Sequence, residues 1–282
     1  MRATGLTATV AGRRRLVDGS CVVLALIFVF PVYWMASTAL KADRDIVSYT
    51  PQFVPWPIDL SNLRQVLGDD TFWHALRSSL LVTVAVVVAG TVVALSAAVS
   101  LARFRFRGRA GFVLALIIVQ MIPGEALFIP YYLMLRNLGL LGHLTGLMLV
   151  YLSFTVPFTV WMLRGFVAAI PVELEEAAAI DGASRWQTFW RILFPLVAPG
   201  LLATSIFAFI TAWTEFTYAY VLINDPANYP LPVYIQSFIG RDSTAYGPQM
   251  AVATLFTLPV IAFFLVVQRR AVAGMSAGAI KG

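Results

Sequence analysis

The chain has 282 residues, 60% of them hydrophobic and 12% charged, with a formal net charge of +6. An ordinary soluble domain carries about 25% charged residues, so a free-standing water-soluble fold is excluded. The basic excess must then be read by its position relative to apolar runs, and not as the footprint of a nucleic-acid partner.

The first uncharged run, Gly19–Leu40, follows "GRRRLVDGS". It is longer than the ~7–15 residues of a signal-peptide apolar region and no small-x-small cleavage site follows it, so it is expected to remain attached as a first span, 19–40, behind a short segment 1–18. Cys21, the lone cysteine, lies at its start and can form no internal disulfide. The polar segment 41–77 holds Pro51, Pro55 and Pro57, which exclude one continuous helix. A second span is expected at 78–102. It ends in "ARFRFRGRAG", whose arginines 103, 105, 107 and 109 alternate with aromatics. Such a cluster can serve RNA or lipid headgroups, but between two spans it reads as a topology anchor. The third span, 110–135, is interrupted at Pro123-Gly124 and Glu125, and is expected to be one kinked helix. "GHLTG", Gly142–Gly146, reads as a turn before a fourth span at 144–163. A long polar loop, 164–198, precedes a fifth span at 199–222, and a sixth follows at 248–268 before the tail 269–282. The fold class expected is therefore an all-α polytopic membrane protein of six spans forming one domain, 19–268.

Basic residues sort unevenly across this pattern. With the N-terminus inside, internal segments hold Arg2, Arg13, Arg14, Arg15, the four arginines of 103–109, Arg164, Arg185, Arg191, Arg269, Arg270 and Lys281, while Lys41, Arg44, Arg64, Arg77, Arg136 and Arg241 fall outside. That bias places both termini and the loop 164–198 in the cytoplasm. No phosphate-binding glycine loop, His-Glu-x-x-His or paired-cysteine metal motif is present. His74 and His143 have no companion ligand nearby and read as surface side chains. No metal site, cofactor or catalytic set is expected, which leaves transport as the reading that needs only a pathway and an energy source.

The loop 164–198 reads as helix, turn, helix. Pro171 suits a first helical position, and Glu173, Glu175 and Glu176 favour the positive end of a helix dipole. Asp181-Gly182 stops that helix; Ser184 and Gln187 fit a capping box that starts a second one, through Trp186, Phe189 and Trp190, closed by Pro195. Ala177, Ala178 and Ala179 leave a low surface that a partner protein's groove could approach, with the carboxylates pairing to its arginines. The competing reading is an amphipathic helix on lipid, but an acidic first turn is a poor match for an anionic leaflet.

Glu176-Ala177-Ala178, Gly182, Ile192 and Phe194-Pro195 stand at the spacing of the signature of bacterial ABC-importer permease subunits, with Phe194 in place of Leu. "FPVYWMASTALK", "LARFRFRGRAG", "MIPGEALFIPYYLMLRNLGL", "PFTVWMLRGFVAAIPVELEEAAAIDGAS" and "QRRAVAGMSAGAIKG" extend the likeness over most of the chain. The chain resembles the carbohydrate-uptake branch of that family, in particular the smaller permease of the maltose-importer type. It departs at Ala39, where the family usually has Ser, and at Thr214, where it often has Asn.

The resemblance implies a type I permease in a bacterial inner or plasma membrane, working with a second, different permease, two ATPase subunits that bind ATP and Mg, and an extracytoplasmic solute-binding protein. It implies no nucleic-acid partner and no catalysis by this chain. It assigns the ATPase-coupling loop to Glu175, Glu176, Ala177, Ala178, Asp181, Gly182, Arg185, Ile192 and Pro195, and suggests that Gly278, Lys281 and Gly282 reach the ATPase, against the plainer reading of an unordered tail. Glu125 and Glu215 interrupt apolar runs at a similar depth, roughly 20–25 Å from the cytoplasmic side. With Trp213 and Tyr218 they are either candidates for a sugar-lined translocation pathway or, for the glutamates, partners of neighbouring helices. A self-sufficient secondary transporter or channel is the alternative, and a membrane-embedded enzyme is a third; neither an internal repeat nor a catalytic set supports them.

Overall fold

The computed structural model describes residues 4–240 and 244–279, and their side chains over 17–240 and 244–268. In chain order the helices are α1 (Thr4–Ala39), α2 (Asp43–Ile46), α3 (Ser61–Leu67), α4 (Asp70–Arg103), α5 (Arg109–Met121), α6 (Phe128–Asn137), α7 (Leu144–Ala168), α8 (Glu173–Ile180), α9 (Arg185–Thr188), α10 (Phe194–Thr214), α11 (Thr217–Leu222), α12 (Leu231–Gln236) and α13 (Tyr246–Ala279). A 3-10 turn, Gly124–Leu127, joins α5 to α6, and a π turn, Phe189–Leu193, joins α9 to α10. Among the described residues the only β feature is a single bridge, Ile239 with Thr244. The chain is an all-α polytopic membrane protein: among the described residues five stretches, Val17–Ala39, Asp70–Arg103, Leu144–Ala168, Arg185–Thr214 and Tyr246–Gln268, are long and apolar enough to cross a bilayer, and α5 with the turn and α6 forms a bent pair that makes six if it is one broken span.

That pair is bent by 96°, a break rather than the expected kink. Ile122 and Pro123 are extended (ψ 124° and 129°), because Pro123 offers no N–H to continue the ladder and restricts Ile122 to the extended region. A second break falls in the fifth expected span: α10 ends at Thr214, Glu215 is extended (ψ 125°), and α11 begins two residues later.

The chain divides into two compact units, the first comprising 1–69 and 235–258 and the second 70–234 and 259–282. In the first, the end of α1 is held by its own connecting loop. Tyr33 donates to the Phe53 carbonyl at 2.6 Å, Lys41 Nζ donates to that of Gln52 and lies 4.3 Å over the Trp34 ring, and Asn62 Nδ2 donates to the Lys41 carbonyl at 2.9 Å. Lys41 is buried, so loss of solvation lowers its ammonium pKa against the opposing pull of Asp45.

In the second unit α4, α7 and α10 pack together. The buried face of α4 runs Ala75, Ser79, Val82, Val86, Gly90, Ala94, Ala98, Leu101, a three-to-four-residue repeat of mostly small side chains. Lipid tails are as apolar as leucine, so such helices associate through close van der Waals approach, which small residues permit. The approach is close at Gly200 of α10, where an added Cβ would lie 2.5 Å from the Phe166 ring of α7. One buried cluster, including Ala94, Ala98, Leu163, Val167, Leu193 and Val197, lies at the end of these helices that bears the loop 164–198. Another, including Val86, Leu135, Leu147, Tyr151, Leu222 and Ile223, lies at the opposite end. The "GHLTG" turn is half as expected: Gly142 turns the chain at φ 81°, but Gly146 is inside α7, where a Cβ would strike the Leu140 carbonyl.

Candidate functional site

The loop 164–198 folds into an elbow. Its first helix, α8, starts at Glu173, two residues later than Pro171 suggests, because Val172 takes the capping position with helical φ/ψ and its carbonyl accepts from the amides of Glu175 and Glu176. All three glutamates fall in the first turn. At the other end Asp181 caps, and Gly182 has φ 82°. The amide of Ala183 donates to the Ala178 carbonyl (2.9 Å) and that of Gly182 to Ala179 (3.1 Å), the paired bonds of a Schellman turn, which needs the left-handed residue that glycine supplies.

The second helix begins with the expected capping box: Gln187 N donates to Ser184 Oγ and Ser184 N to Gln187 Oε1. Pro195 does not close it. The Phe194 amide donates to the Phe189 carbonyl five residues back, and the wider π turn carries the helix past the ring of Pro195, which sits second in α10. Arg185–Thr214 is consequently one helical run, with the elbow at one end and the break at Glu215 at the other.

The elbow is clamped to the end of α4. Arg103 Nε lies 2.5 Å from Glu175 Oε1, and its second arm donates to the Ile170 carbonyl at 2.9 Å. Sequence reasoning treated Arg103 only as part of a basic anchor; no local signal pairs it with a residue 72 positions away. Of the residues assigned to the elbow, Ala178 is buried, Glu175 and Ile192 are half-buried, and Glu176, Ala177, Asp181, Gly182, Arg185 and Pro195 are exposed. The burial of Ala178 departs from the open alanine surface expected of Ala177, Ala178 and Ala179, and sequence reasoning missed two exposed apolar side chains, Ile180 at 87% and Trp186 at 70%. Large apolar side chains left this open are surface that water does not favour and that a partner protein would cover. Behind it, Arg103, Glu175, Glu176, Ala179, Arg185 and Phe189 help to line a cavity of about 440 Å³.

The proposed pathway residues separate. Glu215 and Tyr218 lie on a cavity of about 350 Å³ between the two helix breaks. Glu215 accepts from the Tyr218 amide (2.8 Å), the Ala219 amide (3.2 Å) and the Tyr151 hydroxyl (2.5 Å), so it closes the exposed start of α11 and ties it to α7. The Tyr218 hydroxyl donates to the Gly124 carbonyl at 2.6 Å, linking one break to the other. Glu125, beside Gly124, is exposed. Trp213 is not on the cavity: it is buried and stacked on Phe209 (5.6 Å, 9°). Lys281 and Gly282 fall outside the described residues, and for Gly278 only helical backbone is described. No cluster of metal-ligating side chains occurs among the described residues.

A family model described as "Binding-protein-dependent transport system inner membrane component" matches residues 90–276. The chain is 43% identical over 263 residues, 93% of its length and 95% of the relative's, to the diacetylchitobiose uptake system permease protein DasC of Streptomyces coelicolor. It is 34% identical over 254 residues, 89% and 92% of the two lengths, to the trehalose transport system permease protein SugB of Mycobacterium tuberculosis. Its fold is similar, with a TM-score of 0.78 and 25% identity over 95% of this chain and 98% of the other, to a chain in the crystal structure of a bacterial ABC transporter that imports the acidic polysaccharide alginate. With the signature elbow built on two of its membrane helices and the family's pattern running through most of its length, this chain belongs to the inner membrane components of binding-protein-dependent transport systems.

Proposed function

We propose that this permease forms half of the translocation pathway of an ATP-driven carbohydrate importer, and that its elbow, residues 173–195, is the part gripped by a cytoplasmic ATPase. The observation that carries the reading is the elbow's construction. Its apolar and acidic tip is exposed, its turn is fixed by Gly182, and it is joined to the membrane helices twice, through Arg103–Glu175 and through the unbroken run into α10. A surface flap would need neither attachment.

ATP closure biases one arrangement of the ATPase pair over another, and the elbow passes that bias to the span it continues into, exchanging inward for outward access. The ATP and Mg belong to the partner ATPases. The uneven distribution of arginines supports a cytoplasmic elbow and cytoplasmic termini; a second, different permease completes the pathway, and an extracytoplasmic binding protein delivers solute. The relatives named for diacetylchitobiose and trehalose support a carbohydrate as that solute. The tail that ends in Gly278, Lys281 and Gly282 is a further candidate for ATPase contact.

Affinity purification of the tagged chain from its native host should bring down a nucleotide-hydrolysing subunit. Glu176→Lys should reduce solute-stimulated ATP hydrolysis by at least tenfold while the chain remains in the membrane. Recovery of the chain alone, or full stimulation in the variant, would sink the reading.

A further inference from the structure

The cavity between the two helix breaks carries a chemical preference that the fold alone does not assign. Its floor and walls come from α5, α6, α7, α10 and α11, and Tyr131, Phe154, Phe158, Phe207 and Tyr218 give it an aromatic lining. A volume of about 350 Å³ falls within the range of small-ligand sites, roughly 300–1,000 Å³. The rings are fixed against one another: Phe158 lies 3.9 Å from Phe207 across the α7–α10 contact, and Phe154 stacks on Tyr218 at 5.8 Å and 18°.

The lining hydroxyls have spent their protons. Ser153 Oγ donates to the Val150 carbonyl at 2.6 Å, so in the 2.6 Å pair of Tyr131 with Ser153 the tyrosine is the donor. Tyr218 donates to the Gly124 carbonyl. Each of the three oxygens keeps a lone pair and has no proton to offer. Glu215 adds carboxylate oxygens whose three donors are neutral, and among the described residues no lysine, arginine or histidine lines the cavity. Gln120 alone among the lining side chains keeps a free donor, since its amide nitrogen uses one hydrogen toward the Leu116 carbonyl.

We propose that this permease carries a carbohydrate subsite of its own at this cavity, selective for neutral or amine-bearing sugars and closed to sugars bearing carboxylate or phosphate. A pyranose brings several hydroxyl donors to the waiting oxygens and an apolar ring face to the aromatics. An anionic sugar brings only further lone pairs at its charged group, and meets the Glu215 charge with no cation between them. At a separation of about 6 Å in a partly wet site, that repulsion weakens binding by roughly a hundredfold. The similar transporter that imports alginate handles an acidic polysaccharide; this subsite excludes that class. The inference rests on the carbohydrate-importer reading, and its test reads sugar binding without ATP hydrolysis.

The test is saturation-transfer NMR on the full-length chain, purified with its co-purifying subunits in lipid nanodiscs, using diacetylchitobiose, trehalose and an alginate disaccharide as probes. Wild type should saturate one or both neutral sugars at millimolar concentration and leave the alginate disaccharide unsaturated. Phe154→Ala should weaken the neutral sugar about three- to tenfold. Gln120→Lys, at an exposed lining position, should admit the alginate disaccharide. Equal binding of the acidic and neutral probes by wild type, no binding of any probe, or an unchanged preference in Gln120→Lys overturns the subsite. None of these outcomes bears on whether the elbow engages an ATPase, which the co-purification decides separately.

Discussion

Gly182 shows how one residue's backbone decides the shape of the elbow. Nothing lies within 4 Å of a Cβ built on it, so crowding is not the constraint; φ 82° is. An L-residue held there costs about 1–2 kcal/mol. Gly182→Val should therefore loosen the Ala183 amide, raising its hydrogen-exchange rate about five- to thirtyfold, while Gly182→Asn should do so less. Equal protection in all three proteins would show that the turn does not depend on this residue. The glycine, the capping box and the acidic first turn were all legible in the sequence because each is a local feature, set by residues within about one helical turn of one another. Arg103–Glu175 and Tyr218–Gly124 were not. They join residues distant along the chain, and only tertiary packing brings them within reach. Glu215 was legible as an anomaly but not as a cap, since the helix start that it closes exists only because the span breaks there.

At the scale of elements, proline misleads in both directions. Pro123 was read as a kink and makes a 96° break, whereas Pro195 was read as a stop and is carried through by a π turn. Sequence records the missing N–H; it does not record whether the surrounding helices leave room to turn or hold the run straight. Pro199 lies inside α10 without ending it, followed by Gly200 pressed against Phe166. That contact fixes how closely α10 can approach α7. Gly200→Ala should destabilise the helix pair by about 1–3 kcal/mol through overpacking, read as a fall in thermal stability in detergent, and adding Phe166→Ala should restore part of it. If the double substitution is no more stable than Gly200→Ala alone, the contact does not set the spacing.

For the whole molecule, the number and order of apolar runs made the all-α membrane class legible, because the bilayer imposes one length on every span. The second span, α4, begins at Asp70, well before the uncharged run, since a helix can continue into water beyond the charge that ends a hydropathy window. Sidedness is a statement about the whole chain. With Cys21→Ser as background, Ser48→Cys should react with a membrane-impermeant maleimide in intact cells or spheroplasts, and Arg107→Cys only after permeabilisation. The reverse pattern would invert the topology and place the elbow on the wrong side for any ATP-driven partner.

The helical run from Arg185 to Thr214 has a mechanical corollary. Thirty residues make a rod of about 45 Å, and a tilt of about 15° applied at one end displaces the other by on the order of 10 Å. Phe207 is mounted on that rod and the discontinuity at Glu215 marks its far end, so any displacement of the elbow would move one wall of the cavity in the same stroke. In the importer we propose, nucleotide turnover at one end and solute passage at the other would then share a single helical run.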